Sequence, residues 1–345
     1  MAERLLEVAE LEVSFATEDG LVRAVDGVSF ALHRGEVVAI VGESGSGKSV
    51  TVMTLMGLTR GVNSRFGGSA RLGDRELVTA SEAELERVRG AEIAMIFQDP
   101  ISSLSPVMRI GDQIVEQIRA HEKVSKGAAM DRAVELMERV GIPRARDRAR
   151  NYPHEFSGGM RQRVMIALAL SLSPSVLIAD EPTTALDVTI QAQILQEVKQ
   201  LSQESSSGVI FVTHDLGVVA DIADRVIVMY AGQVVEQGTL EEIFYDPQHP
   251  YTWGLLGSVT RMDRPPPRRL PAIPGLPPSL TDPPEGCHFA PRCPLRFDRC
   301  HELPPLQARV PGVAGHLDRC WLQAGDKRDR REVEGQIGLA TEAVA

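Results

Sequence analysis

Short unbroken apolar runs punctuate this chain. Residues 37–41, 93–97, 176–179, 209–212 and 226–230 each hold four or five consecutive apolar residues, many of them β-branched. Runs of that length predict strands buried on both faces, as in a mostly parallel sheet covered by helices. Residues 5–15 and 22–32 instead alternate around Glu18-Asp19-Gly20, which predicts an antiparallel hairpin. A second hairpin joins 226–230 to 233–237 over Ala231-Gly232, and a short helix is expected at 239–244. Between 110 and 140 the apolar positions recur at helical spacing, broken at Ser125-Lys126-Gly127 and Gly141-Ile142-Pro143. With a further helix at 160–172 they predict a helical insertion over about 100–172. Residues 48–58 are helical by composition, with an end near Gly61, and 62–92 read as a polar connection, Gly-rich and then Glu-rich. The whole is an α/β fold with a mixed or parallel sheet core, an antiparallel β subdomain and a helical insertion.

The ends of the apolar runs carry the candidate chemistry. Residues 37–41 lead straight into Gly42-Glu43-Ser44-Gly45-Ser46-Gly47-Lys48-Ser49, a glycine-rich phosphate loop. Its glycines let backbone N–H groups turn inward, and the following helix adds its dipole, so that together they hold a polyphosphate. Lys48 reaches the outer phosphates, and Ser49 offers a hydroxyl to Mg²⁺. Lys48 is also the only lysine among the first 122 residues. Asp180 and Glu181 end the 175–180 strand: Asp180 suits Mg²⁺, and Glu181, one residue on, suits activation of the attacking water. His214 follows the 209–213 strand, where open α/β sheets keep their ligands, and a neutral imidazole there hydrogen-bonds a terminal phosphate. Ser157 is a good N-cap, and Gly158-Gly159 leave helix-mouth amides bare for an anion. Phe15, at a strand end, either stacks on a base or simply closes the strand.

In that order the motifs resemble the ATP-binding-cassette ATPases over roughly residues 5–250. The resemblance makes ATP and Mg²⁺ the expected cofactors and assigns Gly42 to Val50 to the phosphate loop. It makes Gln98 the glutamine-loop residue, counted among both the catalytic and the Mg²⁺-binding residues, and Ser157-Gly158-Gly159-Met160 the signature. Asp180 becomes the Mg²⁺ aspartate, Glu181 the catalytic glutamate, Ala185-Leu186-Asp187 the loop after it and His214 the switch histidine. Phe15 looks like the adenine-stacking aromatic, although farther from Lys48 than the family pattern. Phe156 and Met160 replace the more usual leucine and glutamine beside Ser157-Gly-Gly, as in oligopeptide and dipeptide importers. The resemblance therefore implies an ATP hydrolase driving peptide uptake from the cytoplasmic face of the inner membrane. It also implies dimeric cassettes, a paralogous heterodimer being expected, with two permease subunits and an extracytoplasmic solute-binding protein.

Composition changes the picture in three places. A formal charge of −10 speaks against broad nucleic-acid binding, which needs a basic face. No run of 18 apolar residues occurs, and the N-terminus lacks a long apolar stretch, so a peripheral protein is expected. Prolines at 265–267, 271, 274, 277–278 and 283–284 preclude regular helix and feed Cys287, Cys293, Cys300 and Cys320. Four thiols in a cytosolic setting point to metal, and Arg292, Arg299 and Arg319, each just before a cysteine, favour thiolates. The spacing lacks the paired knuckles of most zinc sites. The stretch from Gly286 to Pro294 is similar to the carboxy-terminal region of peptide-importer ATPases, some of which carry a 4Fe-4S cluster, so iron-sulfur is expected ahead of zinc or no metal. The domains are thus 1–250 for the cassette, 251–322 for a Pro-rich and Cys-containing extension, and 323–345 for a solvated, mobile tail. The competing reading is a soluble cassette ATPase of nucleic-acid repair or translation with a zinc module. A noncatalytic cassette would be expected to lack Glu181.

Overall fold

The computed structural model describes residues 3–99, 103–182, 206–258, 273–308 and 315–327, together with 191, 195, 199, 200, 204 and 329. Residues 185–187, the prolines at 265–267 and 271, and the tail from 330 onward lie outside the described residues.

Strands β1 (Arg4–Thr17) and β2 (Gly20–His33) form the expected hairpin, and β3 (Val37–Val41) runs into the phosphate loop and α1 (Lys48–Leu55). Next come β4 (Ser64–Leu72), β5 (Arg75–Glu76), α2 (Glu82–Val88) and β6 (Ile93–Ile96). Helices α3 (Ile110–His121), α4 (Lys126–Arg139), α5 (Ala145–Arg148) and α6 (Gly158–Ala169) make up the helical insertion. The chain then returns to the sheet through β7 (Val176–Asp180), β8 (Gly208–Thr213), α7 (Leu216–Ile222), β9 (Arg225–Tyr230) and β10 (Gln233–Thr239). Helices α8 (Leu240–Tyr245) and α9 (Pro250–Gly257) and the short strands β11 (Gln307–Ala308) and β12 (Leu317–Asp318) complete it.

The larger sheet has the order β11-β12-β10-β9-β3-β8-β7-β6, parallel from β9 to β6 and antiparallel at the other edge. Alternation along β3 sends Val38 and Ile40 toward the four-stranded sheet β2-β1-β4-β5, where they join Leu6, Val8 and Leu32. Ala39 and Val41 face the other way and meet Val219, Tyr230 and Tyr251. Ile96, Ala179 and Phe211 bury the inner sides of α3, α4 and α6. Both faces of the parallel strands are therefore covered, which is why they read as continuous apolar runs.

Four expectations need correction. The polar connection at 62–92 contains β4, β5 and α2. Strand β4 carries two glycines and buries only Ala70 and Leu72, so its pairing with β1, Leu6 to Leu72 and Val8 to Ala70, specifies it rather than its own pattern. Helix α2 is seven residues long and starts on a Ser81/Glu84 capping box. Helix α1 stops at Leu55, not near Gly61, because Gly57 takes a left-handed φ of 67°. Helix α6 begins at Gly158 and ends at Ala169, inside the expected 160–172 at its far end. The tail expected to be solvated from 323 does not start so: Lys327 is 1% exposed and donates to Asp318 at 2.6 Å.

Candidate functional site

Parallel register brings four strand ends to one edge. Val41 is level with Thr213, Asp180 with Val212, and Ile96 with Ala179. The residues that follow these ends are the phosphate loop, Glu181, His214 and Gln98, drawn together from across 172 residues of sequence by strand pairing alone.

The loop turns where side chains do not fit. Gly42 has φ 152°, and a Cβ on it would stand 2.1 Å from the Met229 carbonyl oxygen. Gly47 has φ 99° and acts as the N-cap of α1 without a side-chain cap, so the first-turn amides of Lys48, Ser49 and Val50 have no intrahelical acceptor. These amides and the helix dipole form an anion site. Lys48 is buried, and its Nζ donates to the carbonyls of Gly42 at 2.8 Å and Glu43 at 2.9 Å. Burial lowers its pKa, while the carboxylates of Glu181, Asp180 and Glu43 act the other way. Ser44 and Gly45 lie at the exposed turn of the loop, and Ser46 is buried beneath it.

Beside the loop, the Ser49 hydroxyl donates to Asp180 Oδ1 at 3.0 Å. Asp180 is 2% exposed, and burial raises its pKa against that hydrogen bond. A hydroxyl and a carboxylate at this distance match the oxygen donors Mg²⁺ prefers. Glu181 continues the ladder of β7 by donating its N–H to Val212 at 2.9 Å, then turns at a left-handed φ of 45°. A non-glycine residue in that region is strained, and such strain gathers at functional sites. The turn points its carboxylate away from Asp180's partner and toward two others. Gln98 Nε2 donates to Glu181 Oε2 at 2.9 Å, and His214 Nδ1 lies 3.2 Å from Oε1. The structure thus unites Ser49 with Asp180, and Gln98 and His214 with Glu181. Gln98, expected on Mg²⁺ as well, makes its contact with Glu181.

Ser157 caps α6, accepting the Met160 N–H at 3.4 Å, and both Ser157 and Gly158 are exposed. None of the described hydrogen bonds joins Ser157, Gly158, Gly159 or Met160 to the phosphate loop of the same chain. Phe156 is buried under Arg148, whose guanidinium lies 5.8 Å from the ring centroid. Phe15 sits half-buried at the end of β1, opposite Val22 and Ser64, packed against the core of the antiparallel sheet.

In the extension, Cys287, Cys293, Cys300 and Cys320 all line one cavity, with Phe289, Leu295 and Trp321 among its walls. All four are free thiols. Burial raises Cys287 and pushes Cys293 up to about 12 and Cys320 up to about 11. Of the neighbouring arginines only Arg319 acts on a thiol as expected, its charge favouring the Cys287 thiolate against burial, and none of the three hydrogen-bonds a cysteine among the described contacts. Arg292 binds Glu43, Arg299 stacks 3.6 Å above the Trp321 ring, and Arg319 donates to the carbonyls of Val234 and Pro304. Among the described residues no three donors are close enough to hold a single metal ion. Sequence reasoning missed Arg292 and Tyr251, which contact the phosphate loop from the extension and α9. No local pattern signals a pair 249 residues apart.

Among the described residues no helix is long and apolar enough to cross a membrane. Residues 25–184 match the family described as ABC transporter, and 235–300 match the oligopeptide/dipeptide transporter, C-terminal region. The chain is 55% identical over 322 residues to the oligopeptide transport ATP-binding protein OppD of Bacillus subtilis, covering 92% of this chain and 89% of that protein. It is 51% identical to the dipeptide transport ATP-binding protein DppD of the same organism, covering 93% and 95%. The solved dimer of the ATP-binding cassette MJ0796, in a post-hydrolysis state bound to ADP and Pi, superposes with a TM-score of 0.62 at 26% identity. That match covers 68% of this chain and 98% of the cassette. The strand-end site and these likenesses agree: the chain belongs to the ATP-binding, ATP-hydrolysing subunits of oligopeptide and dipeptide ABC transporters.

Proposed function

We propose that Glu181 is the general base of ATP hydrolysis and that closure of two cassettes around ATP drives peptide uptake. The observation that carries this reading is the Glu181 carboxylate held between Gln98 and His214, one residue from the Asp180–Ser49 pair. The amides from Gly45 to Val50 and the Lys48 ammonium bind and orient the phosphates. Ser49 and Asp180 would hold Mg²⁺, which would supply neutralisation of charge on the phosphoryl oxygens. Water attacks the γ-phosphorus, its proton passes to Glu181, and the bond from that phosphorus to the β,γ-bridging oxygen breaks. Gln98 positions the water, and His214 hydrogen-bonds the γ-phosphate. Phosphoryl transfer asks mainly for such positioning and electrostatic stabilisation. Phe15 stacks on adenine. The exposed cap formed by Ser157, Gly158, Gly159 and Met160 completes the site of a second, paralogous ATPase subunit.

The permease partners are supported by a groove of about 730 Å³ beside α3, bordered by Arg109, Asp112, Lys126 and Tyr152, with Val107 82% exposed at its rim. A solute-binding protein outside and an address on the cytoplasmic face of the inner membrane follow from that assembly. For the extension we favour a 4Fe-4S cluster on Cys287, Cys293, Cys300 and Cys320. A cluster takes four cysteine thiolates, and these four cysteines line a single apolar cavity.

Glu181→Gln keeps shape and hydrogen-bonding while removing the base. In the assembled transporter it should bind MgATP as the wild type does and lose hydrolysis by about 100-fold or more. Turnover within about threefold of wild type would remove Glu181 from this role.

A further inference from the structure

We infer that Arg292 is a positioning residue for the nucleotide, acting through Glu43. Glu43 places a carboxylate inside a loop whose task is to attract polyphosphate, which by itself is a repulsive arrangement. Arg292 answers it with a two-pronged ion pair, Nη1 to Oε2 at 2.6 Å and Nη2 to Oε1 at 3.1 Å. The guanidinium is itself fixed. Its side chain is 5% exposed, Nε donates to Pro274 O at 3.0 Å, Nη2 to Ile273 O at 3.2 Å, and Nη1 to the Tyr230 hydroxyl at 3.3 Å. A planar fork held on both edges sets orientation as well as charge. Tyr251, fully buried, adds a second hold by accepting the Glu43 N–H at 2.8 Å. The loop residue between Gly42 and Ser44 is therefore gripped from outside the nucleotide site, at both its backbone and its side chain. The extension that carries the cysteines thus contributes to nucleotide affinity through Arg292.

This rests on the reading of 42–50 as the phosphate-binding loop, and the test separates the two. MgATP is titrated onto the full-length chain, and KM and kcat are measured in the assembled transporter. Arg292→Met, which keeps the stem, should weaken binding about tenfold and raise KM alike, with kcat at saturating ATP within about twofold. Removing the stranded carboxylate as well, in Arg292→Met with Glu43→Gln, should restore affinity to within about threefold of wild type. A purely structural role for Arg292 would show no such rescue. Unchanged binding in Arg292→Met, or a double variant as weak as the single one, overturns the inference. Should Arg292→Met fail to fold, Tyr251→Phe carries the test, expected to weaken MgATP about threefold, with no change counting against it. Lys48→Ala serves as the control. Loss of binding there with none in Arg292→Met rejects only the brace, whereas wild-type binding in Lys48→Ala rejects the phosphate-loop reading itself.

Discussion

Burial holds Cys287, Cys293 and Cys320 protonated, and as cluster ligands they would need a cation to repay the desolvation of their thiolates. Cys293, pushed up to about 12, and Cys320, pushed up to about 11, are the extreme cases. Loading must therefore release protons and weaken as pH falls. Protein purified without oxygen should be brown with about four irons per chain, and uptake of iron and sulfide into stripped protein should slow from pH 8 to pH 6. Metal analysis that finds zinc alone would eliminate the cluster. At this scale the sequence was legible wherever a residue's role depends on its immediate neighbours. Gly42, Asp180, Glu181 and His214 stand within two residues of an apolar run, and Lys48 and Ser49 close the glycine loop that follows one, so their positions could be read. The arginines show the opposite. Arg292, Arg299 and Arg319 adjoin cysteines in sequence, yet their side chains point to Glu43, Trp321 and backbone carbonyls.

Among the elements, β12 carries the extension's hold on the cassette. It pairs with β10 at Glu236 to Asp318 and Gln237 to Leu317, and His316, just before it, reaches Glu236 at 2.8 Å. Glu236 is fully buried and also accepts the N–H groups of Gln248 and His249. Burial opposes a charged His316, but the hydrogen bond and charge of Glu236, helped by Glu242 and Asp246, raise its pKa above the ordinary 6.5. A raised folded pKa means that the pair's stabilisation is complete below pH 6.5 and is lost as pH climbs through the higher folded value. Protection of the β12 amides, relative to their intrinsic exchange at each pH, should fall over that interval while protection in β3 holds. His316→Ala should remove the dependence and cost about 3 kcal/mol of docking, because it strands a buried carboxylate. β12 protection factors that ignore pH would refute the pair's role. Strands β11 and β12 were not readable, since two residues each give no alternation and only the β10 edge specifies them. The same holds for β4, whose glycines hide a strand that β1 dictates.

At the scale of the whole molecule, the exposed Ser157 cap and the Glu181 centre have no described hydrogen bond between them, although both are built for phosphate. On the proposed reading one cassette offers half of two sites. If a partner's cap must close on this chain's nucleotide, hydrolysis is second order in cassettes at low concentration. Without permeases, the chain mixed with a second ATPase subunit should lose about tenfold in turnover per chain on tenfold dilution below the dissociation constant of the pair. Excess Glu181→Gln chain, which still presents an intact Ser157 cap, should sustain the partner's site while its own stays silent. Excess Ser157→Arg chain should not, because a bulky cation at the α6 mouth blocks the approach of that cap. The two variants fold around the same sheet and differ in which half-site they spoil, so opposite outcomes isolate the seam between cassettes. A rate per chain that is indifferent to dilution, and to which variant is in excess, would mean that each cassette turns over alone, and cap and base would then have to meet within one chain.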